Sequence, residues 1–330
     1  MEIKAAEVMK LRKMTGAGMM DCKKALQEAE GDFDRAKDII REKGKLVVAK
    51  RSDRTATEGV VVTKIVGEKA YILCLACETD FVAQNVEFGA SANAMLDIAV
   101  AADAANLETL MAVKNAEGIT VEEMVTEKSG QTGEKVEIAY YARIEAPYCV
   151  AYVHFNKKLG ALVGFNKEVE ESLAKGIAMQ VVSMNPVAVS ADLVPQEVVD
   201  EELKAATQKT KDELVQKAVD AALSKAGINP AHVDSEDHIE SNQAKGWITA
   251  EQAEQAREII KTVSAEKAAN LPAQMVENIA KGRLAKFFKE QTLEEQAYQM
   301  GDGKASVKEV LKAADAEAKI LGFYRVSLCD

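Results

Sequence analysis

The chain has 330 residues, which is room for two or three domains that each bury their own core. Apolar residues make up 48% and charged residues 29%, the balance of a folded globular protein rather than a disordered one. Lys and Arg number 42 against 53 Asp and Glu, so the net charge of −11 excludes a general grip on nucleic-acid phosphates and leaves room only for local basic patches.

The first 44 residues predict three short helices. Val8 and Leu11 mark the first, which breaks at Thr15-Gly16-Ala17-Gly18. Met19, Met20, Ala25, Leu26 and Ala29 recur at helical spacing in the second. Asp32 is placed to cap the third, which carries Phe33, Ala36, Ile39 and Ile40 on one face and is expected to stop near Gly44. Basic residues then cluster at Arg41, Lys43, Lys45, Lys50, Arg51 and Arg54, read as a solvated helix end and linker or as a contact strip for an acidic partner. Residues 1–54 form the predicted N-terminal domain.

From Glu58 the period changes to that of strands. Val60 to Val66 and Ala70 to Cys77 flank a Gly67-Glu68 turn and predict a β-hairpin. A helix from about Asn85 to Ala105 places Phe88, Ala92, Met95, Ile98 and Ala99 on one face, and further helix reaches about residue 129. A second copy of this order is expected to begin near Val136, with strands at Val136–Arg143, Val150–His154 and Leu159–Phe165 and a helix at Leu173–Met184. The fold class is therefore α+β, with related core subdomains at 55–140 and 141–190.

Residues 191–270 read as a helical hairpin. One arm carries Val199, Leu203, Ala206, Thr210, Leu214, Ala218 and Ala221, and the return arm carries Ala253, Ala256, Ile260 and Val263. The intervening stretch, Gly227 to Trp247, looks polar and loop-like. The chain is expected to rejoin the core at 271–330 through a helix ending at Lys281, a helix at Val307–Ala318 and a terminal strand from Ile320 to Leu328.

Signals for catalysis are weak. Gly16-Ala17-Gly18 lacks a preceding strand and a third glycine, and Gly301-Asp302-Gly303-Lys304 lacks the upstream glycine and hydroxyl of a phosphate loop. Cys74 and Cys77 form a CxxC inside an apolar strand, where odd spacing sends the thiols to opposite faces. His154 ends a strand, while His232 and His238 sit in the polar insertion. No metal, cofactor or catalytic residue is expected. No run approaches the ~20 apolar residues of a membrane span, the start lacks the apolar core of a signal peptide, and five scattered cysteines make no disulfide framework. The expectation is a soluble cytoplasmic protein.

One segment carries more information. Thr79-Asp80-Phe81-Val82-Ala83-Gln84-Asn85 joins an apolar strand to an amphipathic helix, and read alone it is either a helix cap folded under the helix or a contact loop. It closely resembles a signature of the bacterial elongation factor Ts family. Leu11-Arg12, followed by Thr15-Gly16-Ala17-Gly18-Met19-Met20-Asp21-Cys22-Lys23-Lys24-Ala25-Leu26, resembles that family's other signature. Glu58-Gly59-Val60, Tyr152-Val153-His154 with Leu159-Gly160, and Gly282 to Phe288 match in the same order. Only the insertion at about 225–265 looks longer than usual.

The resemblance implies a three-helix N-terminal domain like ubiquitin-associated domains, two related core subdomains, a protruding antiparallel coiled-coil hairpin and a C-terminal helical module. It implies guanine-nucleotide exchange on elongation factor Tu, bound both with GDP and nucleotide-free, without catalysis by this chain. Thr79, Asp80, Phe81 and Val82 would then disturb the partner's magnesium site. Arg12, Met19, Met20, His154, Leu159 and Gly160 would be docking residues. No direct nucleic-acid or membrane contact is implied, and self-association through the hairpin stays open. Two other readings also stay open: a scaffold whose Asp80-Phe81 turn is core, and a thiol oxidoreductase using Cys74 and Cys77.

Overall fold

A computed structural model describes residues 3–329. The chain is mixed α and β, as expected, and divides into two compact units. One runs up to Val189 and resumes at Gln296; the other is Ser190–Glu295.

The first unit opens with α1 (Ala5–Thr15), α2 (Met19–Glu28) and α3 (Phe33–Lys50). Leu11, Cys22, Ala25, Leu26 and Ala36 pack together as their core. Gly16 closes α1 at φ +67°, a left-handed cap that suits glycine. Asp32 caps α3, its Oδ1 accepting from the Asp34 and Arg35 amides at 2.9 and 3.1 Å.

The expected stop at Gly44 does not occur, and α3 continues to Lys50. Gly44 serves instead as a crossing point. A Cβ there would stand 2.9 Å from the Thr126 carbonyl oxygen, and one on Gly130 would stand 2.8 Å from the Gly44 Cα. Only hydrogens at both positions let α3 lie this close to α7 (Val121–Thr132). The Arg41 guanidinium adds a 2.8 Å hydrogen bond to Glu127 across the same contact.

Strands β1 (Glu58–Val66) and β2 (Lys69–Cys77) form the predicted hairpin, and β3 (Glu137–Glu145) pairs antiparallel with β2, giving the order β1-β2-β3. Between β2 and β3 come α4 (Asp80–Ala83), α5 (Val86–Ala101), α6 (Leu107–Ala112) and α7. The second sheet contains β4 (Tyr148–Val153), β5 (Leu159–Phe165) and the terminal β6 (Ile320–Ser327), again antiparallel with the second strand central. Helix α8 (Glu171–Met184) packs on all three strands.

The Val136–Arg143 strand thus belongs to the first sheet, and a boundary at 140/141 would cut through β3. The second sheet begins at Tyr148. The reason is long-range pairing: Tyr141 sits opposite Leu73, and Tyr140 opposite Cys74, which no local pattern specifies.

β2 is buried on both faces. Leu73, Leu75 and Cys77 join Phe88, Met95, Leu96 and Leu110 beneath the helices. Ile72 and Cys74 join Leu162, Cys149 and Val326 against the second sheet. The two thiols do lie on opposite faces. Gly160 makes the close approach of the sheets feasible, since a Cβ there would lie 2.8 Å from Val61 Cγ1.

In the second unit, α9 (Gln196–Lys225) packs with α11 (Ala250–Ala269) and α12 (Ala273–Gln291). The stretch expected to be a loop instead holds α10 (Glu236–Ala244), capped by Ser235. Ile228, Val233, Ile239 and Ile248 close a small core with Val219, Leu223, Ala253 and Ala256. These apolar residues are too sparse in sequence to announce a helix. Thr210 is buried in α9 as expected, but the rest of the buried seam uses Val219 and Leu223, not Ala218 and Ala221. Helix α12 passes through Gly282 and stays in this unit, so the chain returns at Gln296 rather than at residue 271. In the first unit α13 (Val307–Ala314) is shorter than expected and precedes β6.

Gly130→Ala should lower stability by about 1–3 kcal/mol through overpacking, despite a helix-propensity gain of about 1 kcal/mol. Gly282→Ala, where an added Cβ meets nothing within 4 Å, should instead raise it by about 0.5–1 kcal/mol. Urea unfolding of both variants distinguishes the crossing-point role from simple helix propensity.

Candidate functional site

The segment after β2 leaves the sheet at Cys77 and turns at once into the single-turn helix α4. Its backbone is fixed by residues far away in sequence. Glu134 Oε2 accepts the Glu78 and Thr79 amides, each at 3.1 Å, and Oε1 accepts the Thr79 hydroxyl at 2.6 Å. Glu78 is held from the other side by Arg51 Nη1 at 2.7 Å and by the Lys135 amide at 2.6 Å. Asn85 then caps α5 through a 2.8 Å bond from the Glu87 amide.

Val82 and Ala83 pack against the core beneath α5. Asp80 is exposed, and Phe81 is 86% exposed. The helix-cap reading therefore fails for Phe81. Thr79 occupies the N-cap position of α4 but spends its hydroxyl on Glu134 instead of capping. Burying a Phe side chain contributes about 1.5–3 kcal/mol, so a rigid turn that leaves the ring in water forgoes that stabilisation. The same exposure removes the scaffold reading in which this turn is core.

Burial opposes charge on Glu78, but the Lys135 amide and the Arg51 guanidinium outweigh it and hold the carboxyl below its ordinary value of 4.5. Arg51 and Arg54 lie in the basic stretch read as a linker; Arg51 is thus a structural clamp. Neither Glu134 nor Arg51 was predictable as part of the loop, because the contacts span 55 and 27 positions without a local pattern.

His154 is partly exposed at the end of β4, its Nδ1 2.9 Å from the Tyr152 hydroxyl. Leu159 is also partly exposed. Gly160 is buried between the sheets and offers no docking surface; its role is the close approach already described. On the N-terminal helices, Arg12, Met19 and Met20 are all exposed. Cys74 and Cys77 are buried, and burial pushes both thiols up to about 12, so neither is a thiolate near neutral pH. Among the described residues no group of three or more His, Cys, Asp or Glu side chains could hold a metal ion. Among them, too, no helix is long and apolar enough to cross a membrane.

The family model described as elongation factor TS matches residues 78–330, which include the Asp80-Phe81 turn, β3 and the second sheet. The chain belongs to the elongation factor Ts family. It is 56% identical over 329 residues to Elongation factor Ts of Bacteroides fragilis, covering 99% of each chain. It is 54% identical to the protein of that name from Bacteroides thetaiotaomicron and 34% identical to that from Porphyromonas gingivalis, again across 99% of each chain. The full-length match places the N-terminal helices and the second unit within the same family framework as the sheets.

Two outcomes follow from this geometry. A carboxyl held below its unfolded value contributes stability that is complete above that value and is lost as the pH falls through the folded value. Glu78→Gln should therefore cost about 1–2 kcal/mol at pH 7 and converge on the parent protein below the ordinary carboxylate value of 4.5, measured by urea unfolding across pH. In thiol titration at pH 8, the folded protein should release the signal of Cys329 alone, with Cys22, Cys74, Cys77 and Cys149 reacting after denaturation. Rapid labelling of Cys74 and Cys77 in the folded state would revive the oxidoreductase reading.

Proposed function

We propose that the chain is a guanine-nucleotide exchange factor for elongation factor Tu, acting in the cytoplasm during translation elongation. It is not an enzyme in this reading and needs no cofactor or metal of its own. The observation that carries it is Phe81, an aromatic ring held in water by a clamped turn, within a chain of this family.

Phe81 enters between helices of the GTPase near its magnesium site, and Asp80 rearranges polar contacts there. Thr79 and Val82 hold the two in place, one through Glu134 and the other through the core. Together they disturb magnesium coordination and the phosphate loop, weakening the hold on GDP. The three-helix module, in the manner of ubiquitin-associated domains, docks through Arg12, Met19 and Met20 on the nucleotide domain. His154 and Leu159 engage another domain of the same partner. The helical hairpin of the second unit serves as a coiled-coil arm, available for self-association.

The energetics follow from reciprocity. A factor that binds the nucleotide-free GTPase more tightly than the GDP complex must weaken GDP by the same ratio. Each tenfold of coupling requires about 1.4 kcal/mol of differential contact. One aromatic hot spot supplies about 2 kcal/mol or more, or roughly thirtyfold, so Phe81 acts together with the docking surfaces.

Release of a fluorescent GDP analogue from elongation factor Tu should accelerate with catalytic amounts of this protein. Phe81→Ala should slow saturating exchange by roughly thirtyfold while retaining most of the affinity. No acceleration by the folded parent protein would overturn the reading. Equal loss of affinity and rate in the variant would reduce Phe81 to an anchor.

A further inference from the structure

Among the described residues, the three most exposed large apolar side chains are Phe155 at 87%, Phe81 at 86% and Val86 at 86%; Met20 follows at 63%. They come from three separate segments: the β4–β5 turn, α4, and the first position of α5. Val86 and Phe155 nevertheless line one cleft of about 840 Å³, whose wall includes Asp80 and Ala83 on either side of Phe81 and Val82. Single exposed apolar residues are ordinary, whereas two of the three most exposed ones lining one cleft, with the third on the helix that forms its wall, mark an interaction surface.

Each side chain stands on a pinned backbone. In the β4–β5 turn the His154 amide donates to Leu159 O at 2.9 Å and the Lys157 amide to His154 O at 2.8 Å. Lys157 O accepts the Val61 amide at 2.7 Å, tying the turn to the first sheet. Lys157 itself takes φ +59°, an unfavourable region for a side chain that is held by these contacts. Lys158 Nζ reaches Glu58 Oε1 at 2.7 Å. Phe155 lies beside His154, ring centroids 4.5 Å apart, and projects from this fixed turn. An exposed ring on an already ordered turn loses little entropy when a partner covers it.

We propose that Phe155 and Val86 form a second anchor for the same GTPase, receiving an apolar cluster on its surface. This rests on the exchange-factor reading. Continuity argues for a single occupant, because the cleft wall and the exchange turn share α4. Charge argues against a nucleic acid. Glu58 and Lys158 pair, and the remaining Asp80 and Lys157 are opposite in sign, so the cleft presents no field selective for phosphate. Since Phe155 lies outside the segment that disturbs the magnesium site, it should hold the GDP-bound and nucleotide-free partner alike. Such uniform binding changes the concentration needed and not the saturating rate.

The test titrates purified elongation factor Tu, loaded with a fluorescent GDP analogue, with the parent protein, Phe155→Ala and Val86→Ser. Met275→Ser, an exposed apolar position on α12, serves as control. Phe155→Ala should raise the concentration for half-maximal release by roughly tenfold or more, Val86→Ser by a smaller factor, and neither should change the saturating rate. Melting temperatures should stay at the parent value. Half-maximal concentrations within twofold of the parent for both variants would overturn the proposal while leaving exchange itself intact. A lowered saturating rate at unchanged half-maximal concentration would also overturn it, because Phe155 would then be part of the exchange element. Failure of the parent protein to release GDP would overturn the exchange-factor reading and this anchor with it.

Discussion

The burial of β2 on both faces is the constraint on which the first unit depends. Its alternating side chains serve two cores, Leu73 and Leu75 beneath the helices and Ile72 and Cys74 against the second sheet. A one-residue slip would exchange these sets and misplace every contact, so the register of β2 is strongly specified. That register fixes where the strand ends, at Cys77, and therefore where the Glu78-to-Asn85 segment begins. The direction in which Phe81 points is a consequence of core packing upstream of it.

From that fixed exit, polar contacts finish the positioning. Glu134 satisfies two amides and a hydroxyl of the turn, while Arg51 and the Lys135 amide hold Glu78. The clamp draws on the end of α3, the segment after α7 and the end of β2. Its parts are brought together by the α3–α7 crossing at Gly44 and Gly130 and by the pairing of β2 with β3. A rigid turn carrying an exposed ring has already lost its conformational entropy in folding, which favours transmitting contact energy to a partner over spending it on ordering.

The second unit is built differently. Its long helix α9 has little hydrophobic stripe of its own and is completed by α11, α12 and the small cluster around Ile228, Val233 and Ile239. The residues between the arms are polar in bulk, yet three or four well-placed isoleucines and valines suffice to order α10. Polar composition was a poor guide here because burial is decided by a few positions rather than by the average.

The sequence by itself determined much of the local order and the family. Short apolar runs flanked by turn residues specified β1, β2 and β5; Asp32 and Gly16 specified helix ends; the two signatures specified membership and pointed to Asp80 and Phe81. It also placed Cys74 and Cys77 on opposite faces, because strand geometry alone dictates that. Tertiary structure decided the rest. Gly44 reads as a helix stop, and only the approach of α7 makes it a crossing point. Val136–Arg143 reads as the start of a repeat, and only pairing with β2 assigns β3 to the first sheet. Gly160 matches a docking motif, and only the neighbouring sheet shows it is buried. Glu134, Arg51, Val86 and Phe155 carry no local signal of their roles. Hydrogen bonds across 55 residues and a cleft shared by two turns arise from packing, which a one-dimensional pattern does not encode.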